Sequence, residues 1–305
     1  MSDRIVINEV GPRDGLQSQA GELTLEQRKA FIEALLRAGL THIEIGSFVS
    51  PRAVPQMAGT GDLARSLAGH REAELTALVP NMKGYELARE AGVETVAVVV
   101  SATETMNQKN IRMSLAQTLE AAQAVIARGR EEGAKVQAYL AVAFECPFEG
   151  AVDPAYVEEL SALLLEAGAS ELVIADTIGA ANPAQVKRLM RALADRHGTA
   201  QLACHFHDTR ALGLANVYAA IDSGVRRFDA SVGGLGGCPF APGAKGNVAT
   251  EDVAMLCEQM GFSTGIDMAA LLAVVELISE MLGQPQGGRA HYWLSRNAAS
   301  TNRAA

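Results

Sequence analysis

The sequence has few cysteines, no run of basic residues and no long apolar stretch. Its four cysteines, Cys146, Cys204, Cys238 and Cys257, form no CxxC pair, so neither a zinc knuckle nor a thioredoxin-like motif is indicated. No segment reaches the roughly 20 consecutive apolar residues of a membrane-spanning helix, and no basic leader precedes the first apolar run. We therefore expect a cytoplasmic protein in a reducing environment, with no membrane partner.

Positive charge is also scarce. The 305 residues contain 26 Lys and Arg against 35 Asp and Glu, which gives a net charge of −9. Without clustered cations, nucleic acid and anionic membranes are poor candidate partners. An acidic protein that acts on an anionic substrate must then place its few cations locally.

Two glycine-rich nucleotide-binding patterns are missing. The turn Gly11–Gly15 reads Gly-Pro-Arg-Asp-Gly instead of GxGxxG, and no GK[ST] follows residues 233–237 at P-loop spacing. The chain instead alternates apolar runs with amphipathic helical segments, and the runs lie at residues 4–10, 42–48, 75–79, 95–101, 136–144, 171–176, 202–207 and 228–232. Eight such units in about 250 residues predict a (β/α)8 TIM barrel and disfavour a doubly wound sheet.

Helix signals fill the gaps between the runs. Thr24 and Ser114 begin capping boxes, and Asp153 and Asn182 each precede a proline at a helix start. A helix-ending glycine precedes several runs, at Gly39, Gly92, Gly168 and Gly224. We predict one catalytic domain over 1–305, with the barrel at about 4–265, additional C-terminal helices at 266–296 and a flexible tail at 297–305.

Polar residues at the carboxyl ends of barrel strands gather at the active site. His205 and His207 are the strongest such signal, because their i, i+2 spacing on a strand sends both imidazoles to one face. With a carboxylate and an amide oxygen they would form a mixed N/O site for Mg²⁺, Mn²⁺ or Zn²⁺. A hydrogen-bonded pair of core histidines is the alternative.

Other strand-end residues are open to two interpretations. Arg13 is either a surface residue or the group that neutralises an anionic oxygen beside an ion. Asp14 and Asp176 could each be turn or N-cap carboxylates. Glu44, on an apolar strand, needs a partner whether or not it takes part in catalysis.

Cys238 lies in the glycine-rich stretch 232–247, which indicates a loop that moves or approaches a ligand closely. Its neighbours offer little packing, so this thiol could act as a general acid or base, whereas the other three cysteines are expected to be packed. Asn107 and Lys109 follow the fourth run, as an ordinary polar loop or as a binding segment for a phosphorylated cofactor tail.

Several motifs together resemble the 3-hydroxy-3-methylglutaryl-CoA lyase family of the DRE-TIM metallolyase superfamily. They are VGPRDGLQ at 10–17, SFVSP at 47–51, VPQM at 54–57, CPFEG at 146–150, HFHDT at 205–209, GGLGGCPFA at 233–241 and GNVATED at 246–252. The similarity runs in order from about residue 5 to 265. The cysteine loop is specific to the family, whereas the Arg-Asp and HxH features indicate only the superfamily.

The resemblance implies a barrel lyase that cleaves a 3-hydroxy-3-methylglutaryl thioester into acetyl-CoA and acetoacetate. It implies a divalent ion, Mg²⁺ or Mn²⁺, and a homodimer or higher homo-oligomer. The implied metal ligands are Asp14, His205, His207 and Asn247. The implied catalytic residues are Cys238, Arg13, His205, Asp14 and Glu44.

In the implied reaction His205 is the first candidate base and Asp14 the second. Arg13 would stabilise the enolate, and Cys238 on a mobile lid would protonate it. Arg13, Gln17, Asn107 and Lys109 are the expected substrate-binding residues.

Three residues bear on which acyl group the substrate carries. Phe240, Lys245 and Met106 replace the residues usual in the family around the acyl pocket and the lid. One alternative is therefore a lyase for citramalyl-CoA or a longer branched glutaryl-CoA. A Claisen-condensing transferase is a second, although Arg-Asp-Gly-Leu-Gln at 13–17 lacks the glutamate typical of that branch. A non-catalytic barrel is a third.

Overall fold

The computed structural model describes residues 3–237 and 246–301, with side chains to residue 297. Its strands are β1 (Val6–Glu9), β2 (His42–Ser47), β3 (Glu74–Leu78), β4 (Thr95–Ser101), β5 (Lys135–Ala141), β6 (Glu145–Cys146), β7 (Gly150–Ala151), β8 (Glu171–Asp176), β9 (Leu202–Phe206) and β10 (Arg227–Ala230). Eight of them close into a parallel barrel in the order β1-β2-β3-β4-β5-β8-β9-β10, and β10 pairs with β1. The predicted (β/α)8 barrel is confirmed.

Helices alternate with the strands around the barrel. They are α1 (Leu25–Arg37), α2 (Thr60–Leu67), α3 (Met82–Glu90), α4 (Glu104–Ile111), α5 (Leu115–Glu131), α6 (Pro154–Ala167), α7 (Pro183–His197), α8 (Gly213–Asp222), α9 (Thr250–Gln259), α10 (Met268–Leu282) and α11 (His291–Thr301). Thr24 and Ser114 form the predicted capping boxes. The predicted helix-ending glycines, such as Gly39 and Gly224, have positive φ angles, a conformation that L side chains disfavour.

The core has two parts. A large apolar layer lies between the barrel and its helices, while a small cluster of Ala97, Tyr139, Val173 and Ala203 fills the lumen. Strands such as β8 are therefore buried along their whole length, which explains their near-continuous apolar sequence.

The apolar run at 136–144 is not one strand. β5 ends at Ala141, Val142 adopts a φ of 51°, and the chain turns into the small antiparallel hairpin of β6 and β7. The Val142 N–H donates to the Thr177 hydroxyl, and the Ala143 N–H donates to the Ala175 carbonyl. The apolar character of 142–144 thus reflects burial at the barrel mouth.

The C-terminal extension packs on the barrel exterior, with α10 against α1. α10 lies within the segment 266–296 that was predicted to be helical. Gly283, with a φ of 65°, ends this helix. α11 continues to Thr301, past residue 297, where the sequence suggested a tail. Within the described residues, no helix is both long and apolar enough to cross a membrane.

Candidate metal centre and active site

Asp14, His205 and His207 meet at the carboxyl ends of the strands. Asp14 lies in a wide helical turn after β1, His205 lies in β9, and His207 follows β9 directly. One possible ligand atom from each lies within 4.8 Å of the others. The two Nε2 atoms of the histidines are 3.1 Å apart. Two imidazole nitrogens approach this closely when a proton or a shared cation lies between them.

Asn247 completes the predicted donor set. Its backbone pairs with His207, and its Nδ2 donates to Asp14 Oδ2 at 2.8 Å and to the Leu235 carbonyl at 3.1 Å. Its Oδ1 is buried and has no hydrogen-bond partner among the described residues. A buried, unpaired amide oxygen beside a carboxylate and two imidazoles fits a divalent cation. The residues present therefore suit the implied Mg²⁺ or Mn²⁺.

Arg13 bridges two carboxylates beside this centre. Its Nε donates to Glu44 Oε2 and its Nη1 to Asp14 Oδ1, both at 2.7 Å. Burial opposes ionisation of Asp14, but the Arg13 guanidinium and the two histidines outweigh it and lower the Asp14 pKa to about 2. Burial raises the pKa of Glu44 to about 7 against the opposing pull of Arg13.

A carboxylate lies on the far side of His205. Asp229 on β10 is 2.9 Å from His205 Nδ1 through Oδ2, and its Oδ1 accepts from Asn8 Nδ2 at 2.9 Å. Burial lowers the His205 pKa, but the hydrogen bond and charge of Asp229 reverse this and raise it. The sequence analysis did not single out Asp229. Like Glu44, Asp229 is a carboxylate within an apolar run, here 228–232, so the same signal could have identified it.

The predicted substrate-binding residues differ in how far they are buried. Asn107 is 1% exposed, accepts from the Ser101 N–H and donates to the carbonyls of Ser101 and Thr103. Its amide therefore supports the connection between β4 and α4, and a contact with substrate stays a prediction. Lys109 is exposed on α4, and Gln17 is half-buried just after the Arg13–Asp14 turn. For both, a role in binding stays a prediction.

Cys238 lies outside the described residues, but both flanks of its loop reach the centre. Gly236 has a φ of 128°, and a Cβ there would lie 2.7 Å from Asn247 Nδ2. Glycine is thus required where the chain passes the side-chain amide of Asn247. Gly236 and Asn247, which lie on either side of the residues outside the description, are therefore close together at the candidate metal centre.

The base of this loop is tied to the C-terminal link between α10 and α11. Buried Glu251 accepts from the N–H groups of Gly233 and Gly288. Arg289 in the same link forms an ion pair at 2.9 Å with Asp208, which follows the predicted ligand His207. No local pattern in the sequence indicates this anchoring, because it joins residues far apart in the chain.

Comparison with known proteins shows the family to which the chain belongs. The HMGL-like family model matches residues 4–278. The hydroxymethylglutaryl-CoA lyase of Pseudomonas mevalonii is 43% identical over 295 residues, which cover 97% of this chain and 98% of that protein. The (R)-citramalyl-CoA lyase of Chloroflexus aurantiacus is 43% identical over 293 residues, covering 93% of this chain and 92% of the relative.

Solved structures share the fold closely. The Bacillus subtilis HMG-CoA lyase superposes with a TM-score of 0.93 at 42% identity, covering 96% of this chain and 98% of that one. An HMG-CoA lyase from Acinetobacter baumannii, solved with coenzyme A and 3-methylmalate, gives a TM-score of 0.91 at 39% identity, with 95% of each chain covered.

The closed barrel with polar groups at the carboxyl ends of its strands is a (β/α)8 enzyme fold, and the relatives place the chain in the lyase class. More particularly, the chain belongs to the HMGL-like family, that of the hydroxymethylglutaryl-CoA lyases.

Proposed function

We propose that this protein is a divalent-metal-dependent lyase that cleaves 3-hydroxy-3-methylglutaryl-CoA to acetyl-CoA and acetoacetate. One observation carries the proposal: a cation-fitting donor set of Asp14, His205, His207 and Asn247 adjoins the buried guanidinium of Arg13. Relatives 43% identical to this chain are named for this reaction.

A bound Mg²⁺ or Mn²⁺ would supply Lewis-acid charge for the substrate oxygens and lower the pKa of the tertiary hydroxyl. Asp14, His205, His207 and Asn247 would hold it. The unpaired Oδ1 of Asn247 is the observation on which this fit rests.

Arg13 has the charge and position to stabilise the thioester enolate that forms when the carbon–carbon bond breaks. Two of its N–H groups bind Glu44 and Asp14, which fix the plane of the guanidinium. Its other N–H groups can then bind the thioester oxygen, where negative charge develops. Because the guanidinium is already oriented, little reorganisation is needed during the reaction.

The proton of the tertiary hydroxyl needs an acceptor, and His205 and Asp14 are the two candidates. With Nδ1 bonded to Asp229, an Nε2 that binds the cation has no lone pair left for a proton. His205 can therefore serve as ligand or as base in this arrangement, but not as both. Because the proposal makes His205 a ligand, the second candidate base, Asp14, would take the proton; its carboxylate keeps lone pairs beyond the one given to the cation.

Protonation of the enolate carbon is assigned to Cys238. The support is positional: Gly236 and Asn247, which precede and follow Cys238 in the chain, lie together at the candidate metal centre. Closure of the loop would bring the thiol to the substrate and exclude water.

A second candidate substrate is citramalyl-CoA, because a relative 43% identical over most of this chain is named as a citramalyl-CoA lyase. Both substrates carry a 3-hydroxy acyl thioester, so the same residues would act on either. We further propose that the enzyme is cytoplasmic and that it is a homodimer or higher homo-oligomer; light scattering of the purified protein would measure the oligomeric state.

A panel of acyl-CoA substrates with Mg²⁺ or Mn²⁺ tests the proposal. We expect acetoacetate from 3-hydroxy-3-methylglutaryl-CoA, and we expect EDTA to stop its formation. Turnover of citramalyl-CoA alone would support the second candidate. Release of free CoA from acetyl-CoA and a 2-oxo acid, without any cleavage, would instead indicate a transferase.

A further inference from the structure

Three polar side chains form a row across adjacent strands behind the candidate metal centre. The barrel register pairs Asn8 on β1 with Asp229 on β10, and Asp229 with His205 on β9. Side chains at paired positions of neighbouring strands point the same way, so the register itself brings these three together. All three are buried, with 6%, 3% and 6% of their surfaces exposed, respectively.

The hydrogen bonds along this row have a defined direction. Asn8 Nδ2 donates to Asp229 Oδ1, and Asp229 Oδ2 lies 2.9 Å from His205 Nδ1. An ionised carboxylate can only accept, so the proton of a neutral His205 must be on Nδ1. The lone pair of the ring is then on Nε2, which faces His207 Nε2 at 3.1 Å.

We propose that Asp229 is a positioning residue that fixes the His205 tautomer and so directs the Nε2 lone pair toward the bound cation. Asn8 orients the Asp229 carboxylate by occupying its other oxygen. This inference rests on the proposed metal dependence. It adds a carboxylate and an amide to the site, neither of which is a ligand. Carboxylates behind metal-bound histidines commonly change metal affinity by 10–100-fold.

Two variants of Asp229 separate hydrogen-bond acceptance from charge. Asp229→Ala removes the acceptor, so the Nδ1–H tautomer loses its support. Asp229→Asn keeps one acceptor oxygen without the charge. We expect Mn²⁺ affinity to fall roughly 10–100-fold in Asp229→Ala and by a smaller factor in Asp229→Asn. Mn²⁺ binding is measured by electron paramagnetic resonance of the free ion, without any turnover.

The tautomer is read directly by ¹⁵N–¹H correlation of ring-labelled histidine in the metal-free protein at mildly alkaline pH. The wild type should show His205 protonated at Nδ1 and unprotonated at Nε2. In Asp229→Ala we expect a mixture of the two tautomers. Assignment of the signal comes from its loss in His205→Asn.

Glu171, the first residue of β8, offers a control carboxylate that does not contact His205. It is also a buried strand carboxylate that accepts from two side chains, those of Gln137 and Arg227. Glu171→Ala should leave Mn²⁺ affinity and the His205 tautomer unchanged. A comparable loss of Mn²⁺ affinity in this control would mean that loss of any buried carboxylate weakens the site.

The outcomes are distinguishable. If the wild type binds no Mn²⁺, the proposed metal dependence is wrong, and the tautomer measurement still tests the role of Asp229. If the wild type binds Mn²⁺ and Asp229→Ala keeps its affinity and its tautomer, the role of Asp229 is overturned. Should Asp229→Ala fail to fold, wild-type Mn²⁺ affinity and tautomer in Asp229→Leu, which is close to Asp in size and cannot accept a hydrogen bond, would overturn it equally.

Discussion

The guanidinium of Arg13 and the carboxylate of Glu44 form a buried ion pair, with 2.7 Å between Nε and Oε2 and the Glu44 side chain fully buried. The register of β2 shifts between Glu44 and Gly46, at the point where the strand presents this carboxylate. Since Arg13 also binds Asp14, the pair connects the orientation of the guanidinium to the metal centre.

The first prediction concerns this pair. Glu44→Gln keeps the shape but removes the charge that fixes Arg13, so we expect kcat to fall by about 10²–10³. We also expect a loss of stability, because the buried guanidinium loses one of its two carboxylate partners and keeps only Asp14. Steady-state kinetics and urea unfolding measure the two effects. Glu33→Gln disrupts only partly exposed contacts, those of Glu33 with Lys29 and with His70, and should change neither by much. Equal kinetics in both variants would contradict the role of Glu44.

The second prediction concerns the pH dependence of stability through Glu9. This carboxylate is fully buried, accepts from the Val232 N–H and the Thr250 hydroxyl, and has its pKa raised by burial to about 7. Because the folded pKa lies above the unfolded value of 4.5, the folded state binds the proton more tightly. Stability from this group is complete below pH 4.5 and is lost as pH rises toward 7.

Glu9→Gln should therefore gain stability relative to the wild type over the same pH range, by up to about 3 kcal/mol. Urea unfolding of both proteins near pH 4.5 and near pH 7 measures the difference. Parallel pH dependences of the two free energies of unfolding would show that Glu9 does not titrate in this window.

The third prediction concerns the metal. Mn²⁺ at 100 times its dissociation constant should stabilise the wild type by about 2.7 kcal/mol, and Asp14→Asn and His207→Ala should lose this gain. Thermal unfolding with and without Mn²⁺ measures it. His70→Ala, at the surface beside Glu72, is the control and should keep the full shift. A full shift in His207→Ala would exclude this residue as a ligand.

The fourth prediction compares two glycines with positive φ. Alanine at Gly236 would place its Cβ 2.7 Å from Asn247 Nδ2, whereas alanine at Gly261 would meet no atom within 4 Å. Both substitutions should cost about 1–2 kcal/mol of stability through backbone strain. Only Gly236→Ala should also weaken Mn²⁺ binding, because it displaces a ligand. Equal Mn²⁺ affinities would separate Asn247 from the ion.

The fifth prediction concerns Cys238. Cys238→Ala should lose most turnover while it keeps Mn²⁺ affinity, since the thiol is assigned to proton transfer alone. Cys257→Ala is the matched control: this thiol is buried in α9, so its loss should lower stability and leave kcat unchanged. Retained turnover in Cys238→Ala would remove the cysteine from the mechanism.

Local features of the sequence determined the barrel and part of its centre. Hydrophobic runs, capping boxes and helix-ending glycines depend on neighbours within a few residues, so they predicted the strand–helix alternation and α10 correctly. The spacing of His205 and His207 likewise determined that their rings share one face, because successive residues of a strand alternate.

The tertiary structure decided the partners of those residues. Asn8 and Asp229 are 221 positions apart, and only the pairing of β1 with β10 brings them together behind His205. The same holds for Glu251, which joins Gly233 to Gly288. Strand register and barrel closure are global properties of the packed chain, so no local pattern specifies which buried carboxylate faces which donor.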